Sequence, residues 1–335
     1  MANEMLRLNA NEGRPCLTPE AIARLIDSET LRRYPESKSL EALIAEHKGL
    51  APERVLATAG ADDSIDRAIR SFGAEGATVL STAPAFEEYA AAAARSGSRY
   101  VSVPRAPDGP LPLEGLLAAI GAEKPALVVV ASPDSPGGGA LSPAELRKLA
   151  EAARAAGALV LFDVAYSEFD AENPVYEEAL GMPGLVSTGT FSKAYGLAGL
   201  RAGWAAGPAD AIARMREAGP PFSLCTFSVA AASAALLSGE EAKKAFVAEV
   251  RRERPLLEGA LAAMGAKTWP SRANFATAFV PDAGTFAQDL LSRGVKIRSW
   301  LGKAGRDGMV RITCPGDEAE FRTLLGVLDS IGRLA

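Results

Sequence analysis

Ser187-Thr188-Gly189-Thr190-Phe191-Ser192-Lys193-Ala194-Tyr195-Gly196-Leu197-Ala198-Gly199-Leu200-Arg201-Ala202-Gly203-Trp204 sets one lysine among hydroxyls and glycines. Thr190 and Ser192 precede Lys193, three glycines follow it, and Arg201 stands eight residues on. An exposed helical lysine keeps charged company, whereas this composition suits an anion and an amine held together. An amine is a useful nucleophile near neutral pH only where burial or a neighbouring cation disfavours its ammonium form. Arg201 can be that cation, can grip a phosphate, or can do both. A glycine-rich loop with a merely solvated lysine would read the same way, so the remainder of the chain decides.

Working outward, residues 185–188 form an apolar strand that leads into the lysine loop, and residues 158–163 form another that ends in Asp163. Strand patterns also occupy 54–58, 78–81, 100–103 and 126–131, and glycine- or proline-marked turns and helical periodicity separate them. Short apolar strands alternating with helices predict an α/β fold with a mostly parallel sheet sandwiched by helices. Ligands of such sheets bind beyond the carboxyl ends of the strands. Asp163, Lys193 and the turn Gly60-Ala61-Asp62 all fall there. Thr18-Pro19-Glu20 opens a helix by cap chemistry, and 39–48 reads as a helix closed by Gly49.

After Gly219-Pro220-Pro221 the texture changes to an Ala/Ser helix from about Ser228, a charged helix to Leu261, strands at 275–280, 296–298 and 309–313, and a last helix. This predicts a smaller α+β lobe. The expected organisation is an N-terminal arm over 1–30 joining the small lobe, a large domain over 31–220 and a small domain over 221–335.

Composition bounds the function. The chain has 335 residues, a formal charge of −5 and no Lys/Arg run, so it carries no footprint for nucleic acid or a membrane surface. Cys16, Cys225 and Cys314 are far apart and lack CxxC spacing, which points to buried thiols rather than disulfides or zinc. The single histidine, His47, is placed at a helix end where a cation suits the dipole, and no metal is expected. Neither a secretory signal nor a membrane span is expected, and a cytoplasmic location follows. The chemistry expected is that of small molecules.

A carboxylate at the end of an apolar strand is costly without a partner. Asp163 together with an imine-forming Lys193 points to pyridoxal 5'-phosphate, which needs a lysine for its aldehyde and a carboxylate to keep its ring nitrogen protonated. The turn at Gly60 offers backbone N–H groups and a helix dipole to the phosphate, and Ser192 and Arg201 offer a hydroxyl and a charged fork.

On these residues the chain resembles the fold-type-I pyridoxal-phosphate enzymes of the class I/II aminotransferase superfamily, in particular its histidinol-phosphate aminotransferase branch. The likeness runs from Leu6 to about Gly316. It implies that Lys193 is the imine lysine, that Asp163 is the ring-nitrogen partner and that Tyr166 bonds the ring phenolate. It assigns the phosphate to Ala61, Asp62, Thr190, Ser192 and Arg201, ring stacking to Phe86, and a second-subunit phosphate contact to Tyr34. A homodimer with shared sites follows. Arg311, Arg298 and Asn11 are the implied substrate-binding residues, with Asn9 also in the arm. An amino donor and a 2-oxo acid acceptor are the implied small-molecule partners.

Two departures from the family pattern stand out. Ser135-Pro136-Gly137-Gly138 replaces Asn-Pro-Thr-Gly, so Ser135 stands where an asparagine would meet the cofactor, and the tyrosine-bearing segment that usually precedes Leu-Asn-Ala-Asn-Glu is absent. Decarboxylation of the phosphothreonine type and oxidation remain alternatives on this scaffold, because fold does not choose which Cα bond breaks. A non-catalytic cofactor-binding protein is the remote alternative.

Overall fold

The computed structural model describes residues 5–106, 109–170, 175–303 and 306–334. Strand β1 (Leu6–Leu8) lies in the N-terminal arm. A seven-stranded sheet is built from β2 (Val55–Thr58), β3 (Thr78–Ala83), β4 (Arg99–Pro104), β5 (Leu127–Ala131), β6 (Leu159–Asp163), β7 (Leu185–Thr190) and β8 (Gly203–Ala206). Its order is β2-β8-β7-β6-β5-β3-β4, parallel throughout except for β8, which runs antiparallel to both neighbours.

Every residue of β5 is buried, which its unbroken apolar run demands in a sheet covered on both faces. On one face pack Leu40 and Ile44 of helix Ser37–His47, Leu116 and Ile120 of Leu113–Glu123, and Leu146 and Leu149 of Pro143–Ala155. On the other pack Ile65 and Ile69 of Gly60–Phe72, Tyr89 of Glu87–Arg95, and Met215 of Ala209–Glu217. Each such side chain contributes about 1.5–3 kcal/mol on burial. Ser142 and Glu145 form a capping box that starts the helix Pro143–Ala155.

Strand β8 lay outside the sequence reading because Gly-Trp-Ala-Ala carries no β-branched residue. Its first glycine has a packing reason. A Cβ on Gly203 would lie 2.5 Å from the carbonyl carbon of Gly60 and 2.8 Å from the Ala61 nitrogen. The side-chain-free strand end lets helix Gly60–Phe72 begin directly against it.

The smaller sheet comprises β1 with β9 (Lys267–Trp269), β10 (Phe275–Phe279), β11 (Val295–Ser299) and β12 (Met309–Thr313), in the order β1-β11-β12-β10-β9. The arm thus adds a parallel edge strand to a sheet made at the other end of the chain. Helix Thr226–Ser238 contributes Val229, Ala231 and Ala235 to the large-sheet core. The textural change after Pro221 therefore comes before the change of core, because alanine-rich composition does not reveal which layer a helix covers.

Loop 132–139 fastens the lobes together. The Thr277 hydroxyl donates to the Pro136 carbonyl, and the Arg272 amide donates to Gly138 O at 2.8 Å. His47 ends its helix, but burial and the nearby Lys48 and Lys243 lower its pKa, so its surroundings disfavour the cation expected there. Among the described residues no helix is long and apolar enough to cross a membrane, and no group of three or more His, Cys, Asp or Glu is placed to hold a metal.

Candidate active site

A cavity of about 360 Å³ opens at the carboxyl ends of the large-sheet strands. Ala61, Asp62, Phe86, Ser135, Asp163, Tyr166, Thr190, Ser192, Lys193 and Arg201 all line it. These residues, from five separate stretches of the sequence, therefore meet around one space, each delivered by the end of a strand, the loop that follows it or, for Ala61 and Asp62, the first turn of the next helix.

One corner is built for an anion. Gly60, at φ +84°, opens a helix that no side chain caps, so its first N–H groups and its positive dipole end are available to a ligand. Arg201 adopts φ +49° and reaches Asp62 Oδ2 at 2.9 Å, Ala198 O at 3.1 Å and Ser192 Oγ at 3.5 Å. The Thr190 hydroxyl donates to Ser192 Oγ at 2.9 Å and accepts the Ser192 amide at 3.0 Å. Gly60 suits glycine because its φ of +84° is a backbone conformation that side chains rarely adopt.

A second corner is built for a cationic ring. Asp163 is buried, with Oδ2 accepting the Tyr89 phenol at 2.7 Å and Oδ1 accepting the Ala165 amide at 3.0 Å. Burial raises its pKa, while these two donors pull the other way. The same burial, with Asp163 alongside, holds the Tyr89 phenol well above the usual range. Phe86 borders the cavity and meets Tyr89 edge-on at 5.7 Å. An uncapped helix start beside a guanidinium, and a buried carboxylate on the far side of the same space, fit the phosphate and the ring nitrogen of pyridoxal phosphate.

Lys193 Nζ donates to Ala10 O at 2.9 Å and lies 5.8 Å from the Tyr166 ring centroid. The arm presses on the lysine loop. A Cβ on Gly13 would fall 1.8 Å from Lys193 O, one on Gly196 1.9 Å from Arg14 O, and the Cys16 amide donates to Tyr195 O at 3.1 Å. Asn11 sits at φ +55° and is wholly buried. Its Nδ2 donates to Tyr166 Oη at 3.0 Å, and its amide donates to Thr313 Oγ1 at 3.1 Å. It touches the cavity through Tyr166, while its neighbours Ala10 and Glu12 line the wall.

Arg311 Nη1 donates to Ser135 Oγ at 2.7 Å and Nη2 to Asn9 O at 3.1 Å. Burial lowers its pKa. Serine at position 135 thus engages the small-lobe arginine directly. Arg298 is paired across the strands with Arg311 and points to Glu87 at 3.2 Å. Tyr34 is 77% exposed, stacks on Phe222 at 4.5 Å and does not line this chain's own cavity. Sequence reasoning missed Tyr89, which looks like a core aromatic in an alanine-rich helix, and Arg306, which pairs with Glu87 at 3.1 Å.

Comparison with known proteins gives a consistent likeness. The family described as aminotransferase class I and II matches residues 3–328. A histidinol-phosphate aminotransferase of Roseiflexus castenholzii is 31% identical over 340 residues, covering 98% of this chain and 90% of that protein. One from Methylibium petroleiphilum is 32% identical over 292 residues, covering 86% and 78%. The crystal structure of histidinol-phosphate aminotransferase from Sinorhizobium meliloti, in complex with pyridoxal-5'-phosphate, superposes with a TM-score of 0.85 at 28% identity, covering 98% of this chain and 92% of that one.

Proposed function

We propose how the site works from the premise that the chain belongs to the class I and II aminotransferase family. It is a pyridoxal-phosphate-dependent aminotransferase, histidinol-phosphate aminotransferase-like in sequence and fold. When bound, pyridoxal phosphate supplies an aldehyde that condenses with amines and a ring that accepts electrons from the substrate's α-carbon. The residues present fit it.

In this reading Ala61, Asp62, Thr190, Ser192 and Arg201 hold the phosphate, and Phe86 covers the ring. Asp163 keeps the ring nitrogen protonated, while Tyr166, oriented by Asn11, meets the ring oxygen. Lys193 Nζ holds the cofactor at rest. During turnover the freed Nζ would take the proton from the α-carbon of the amino substrate and carry it until it is delivered within the site. In the reverse half of the cycle it would give a proton to the carbon that becomes the α-carbon of the product amino acid. Arg311, steadied by Ser135, grips the substrate's anionic group with Arg298 beside it. The substrate is an amino acid or amino-phosphate, and the acceptor a 2-oxo acid.

The enzyme acts as a homodimer in the cytoplasm. The exposed Tyr34–Phe222 stack supports the dimer, because it puts a phenol on the surface, clear of its own cavity, where a second copy can receive it.

The observation that carries the reading is the meeting of Lys193, Asp163, Tyr166 and Arg201 around one cavity. Purified protein should absorb in the near-visible range and form glutamate from 2-oxoglutarate and an amino donor, and Lys193→Ala should lose both properties. Release of CO₂ or uptake of O₂ without glutamate formation would replace transamination by decarboxylation or oxidation.

A further inference from the structure

Three guanidinium groups converge on one buried indole where the lobes meet. Arg298, Arg306 and Arg311 lie 5.4, 5.3 and 5.5 Å from the Trp300 ring centroid. The ring attracts each of them, but the three like charges repel one another, and Arg298 and Arg306 both depress the pKa of Arg311. Among the ion pairs of the described residues, one carboxylate answers this group. Glu87 Oε2 accepts from Arg298 at 3.2 Å and Oε1 from Arg306 at 3.1 Å.

Glu87 is poised for exchange. Its side chain is 47% exposed and that of Arg298 is 43% exposed, so that pair is weakly held, while Arg306, 13% exposed, is fixed by a second bond from Nη2 to Ala85 O at 3.0 Å. Glu87 follows Phe86 directly, and both border a cleft of about 800 Å³ together with Lys303 and Arg306. Phe86 also borders the cofactor cavity, so the cleft adjoins the reacting end. Arg311 Nε, though buried, has no hydrogen-bond partner among the described residues. The cluster therefore keeps positive charge and donor capacity in excess of what the protein itself neutralises.

We propose that Glu87 is a displaceable counter-ion and Arg306 a further anion-binding residue, so that the anionic group of an amino substrate, held by Arg311, also engages Arg298 and Arg306 by taking the place of Glu87 on them. This deepens, and rests on, the transaminase reading. Glu87 then acts as a filter. A neutral donor has no charge with which to displace it, a carboxylate exchanges like for like, and a phosphate dianion gains most.

The test uses holoenzyme and two amines that differ only in a phosphate, histidinol phosphate and histidinol. The ratio of their kcat/KM values should rise about fivefold in Glu87→Gln, where the competitor is gone, and fall about tenfold in Arg306→Gln, where a charge-assisted fork is lost. A ratio that stays within about twofold in both variants, or moves the same way in both, overturns the proposal. Calorimetric titration of the holoenzymes with inorganic phosphate gives a second measure. Phosphate should bind more tightly to Glu87→Gln and more weakly to Arg306→Gln than to the wild type, and equal affinity in all three overturns the proposal. A wild type that transfers no amino group from a broad amine panel defeats the transaminase reading, while the phosphate titration still decides the anion site.

Discussion

Tyr89 reaches from its helix to Asp163 across the sheet end, its phenol 2.7 Å from the carboxylate oxygen Oδ2. Both groups are buried, and the bond opposes the burial that raises the Asp163 pKa. In the role proposed for Asp163 the carboxylate has to be ionised, and the Tyr89 bond favours that form.

Tyr89→Phe should therefore weaken Asp163 in a defined direction. Without the donor the Asp163 pKa rises further, so the carboxylate form is lost at a higher pH as the solution is acidified. Turnover near neutral pH should drop about tenfold, the value of one hydrogen bond to a charged group. The acid limb of cofactor affinity against pH should move upward. Superimposable limbs in wild type and variant would show that Tyr89 is only packing.

Arg105 and Asp134 form a buried bidentate ion pair beneath loop 132–139, their side chains 1% and 4% exposed. Asp134 also accepts the Gly137 amide at 3.2 Å, so the pair shapes the turn that presents Ser135 to Arg311. Arg105→Met should cost about 3–5 kcal/mol in denaturant unfolding, because it strands a charge in the interior. Adding Asp134→Leu should recover much of that loss. A single-variant cost below about 1 kcal/mol would contradict the buried-pair account.

Lys48 Nζ lies 3.9 Å from the Trp204 ring centroid and 5.1 Å from that of Tyr176. Burial pulls its pKa down to about 8, with Glu168 opposing and Lys243 adding to the shift. Between about 8 and the ordinary lysine value near 10.4 the unfolded chain holds more protons than the folded one, so stability rises with pH across that window. Melting temperatures from pH 7.5 to 10.5 should show wild type gaining on Lys48→Met as pH rises. A constant difference between the two would remove the buried-lysine explanation.

Strands β3, β5, β6, β7 and β12 were legible in the sequence because their apolar runs report two-sided burial. The lysine loop became legible only beside Asp163 and the glycine turn at Gly60, because its own hydroxyls, glycines and amine would suit a solvated lysine equally well. Strand β8 was hidden, since its glycine and alanines serve close approach rather than β-propensity. Tyr89 was hidden for another reason. The partner that gives it a role stands 74 residues away, and periodicity speaks only of near neighbours. Asn11 was expected to bind substrate, whereas it is buried under Tyr166 and Thr313 and does not line the cavity, a placement set by a backbone turn at φ +55° that composition does not encode.

The docking of the arm also sets an order of assembly during synthesis. Asn11 bonds Thr313, 302 residues away, and β1 pairs with β11. The seven large-sheet strands are complete by Ala206, so a chain leaving the ribosome can close that sheet while β11 and Thr313, the small-sheet partners of its arm, are still untranslated. Contacts of such sequence separation form late. The Ala10 carbonyl meets Lys193 and Asn11 meets Tyr166 within the part already made, but the Thr313 hydroxyl that accepts the Asn11 amide comes only with the last strand. A message truncated before codon 295 would then yield a chain with its lysine loop made and β1 without its strand partner. The strands made last thus complete the seat of the residues made first.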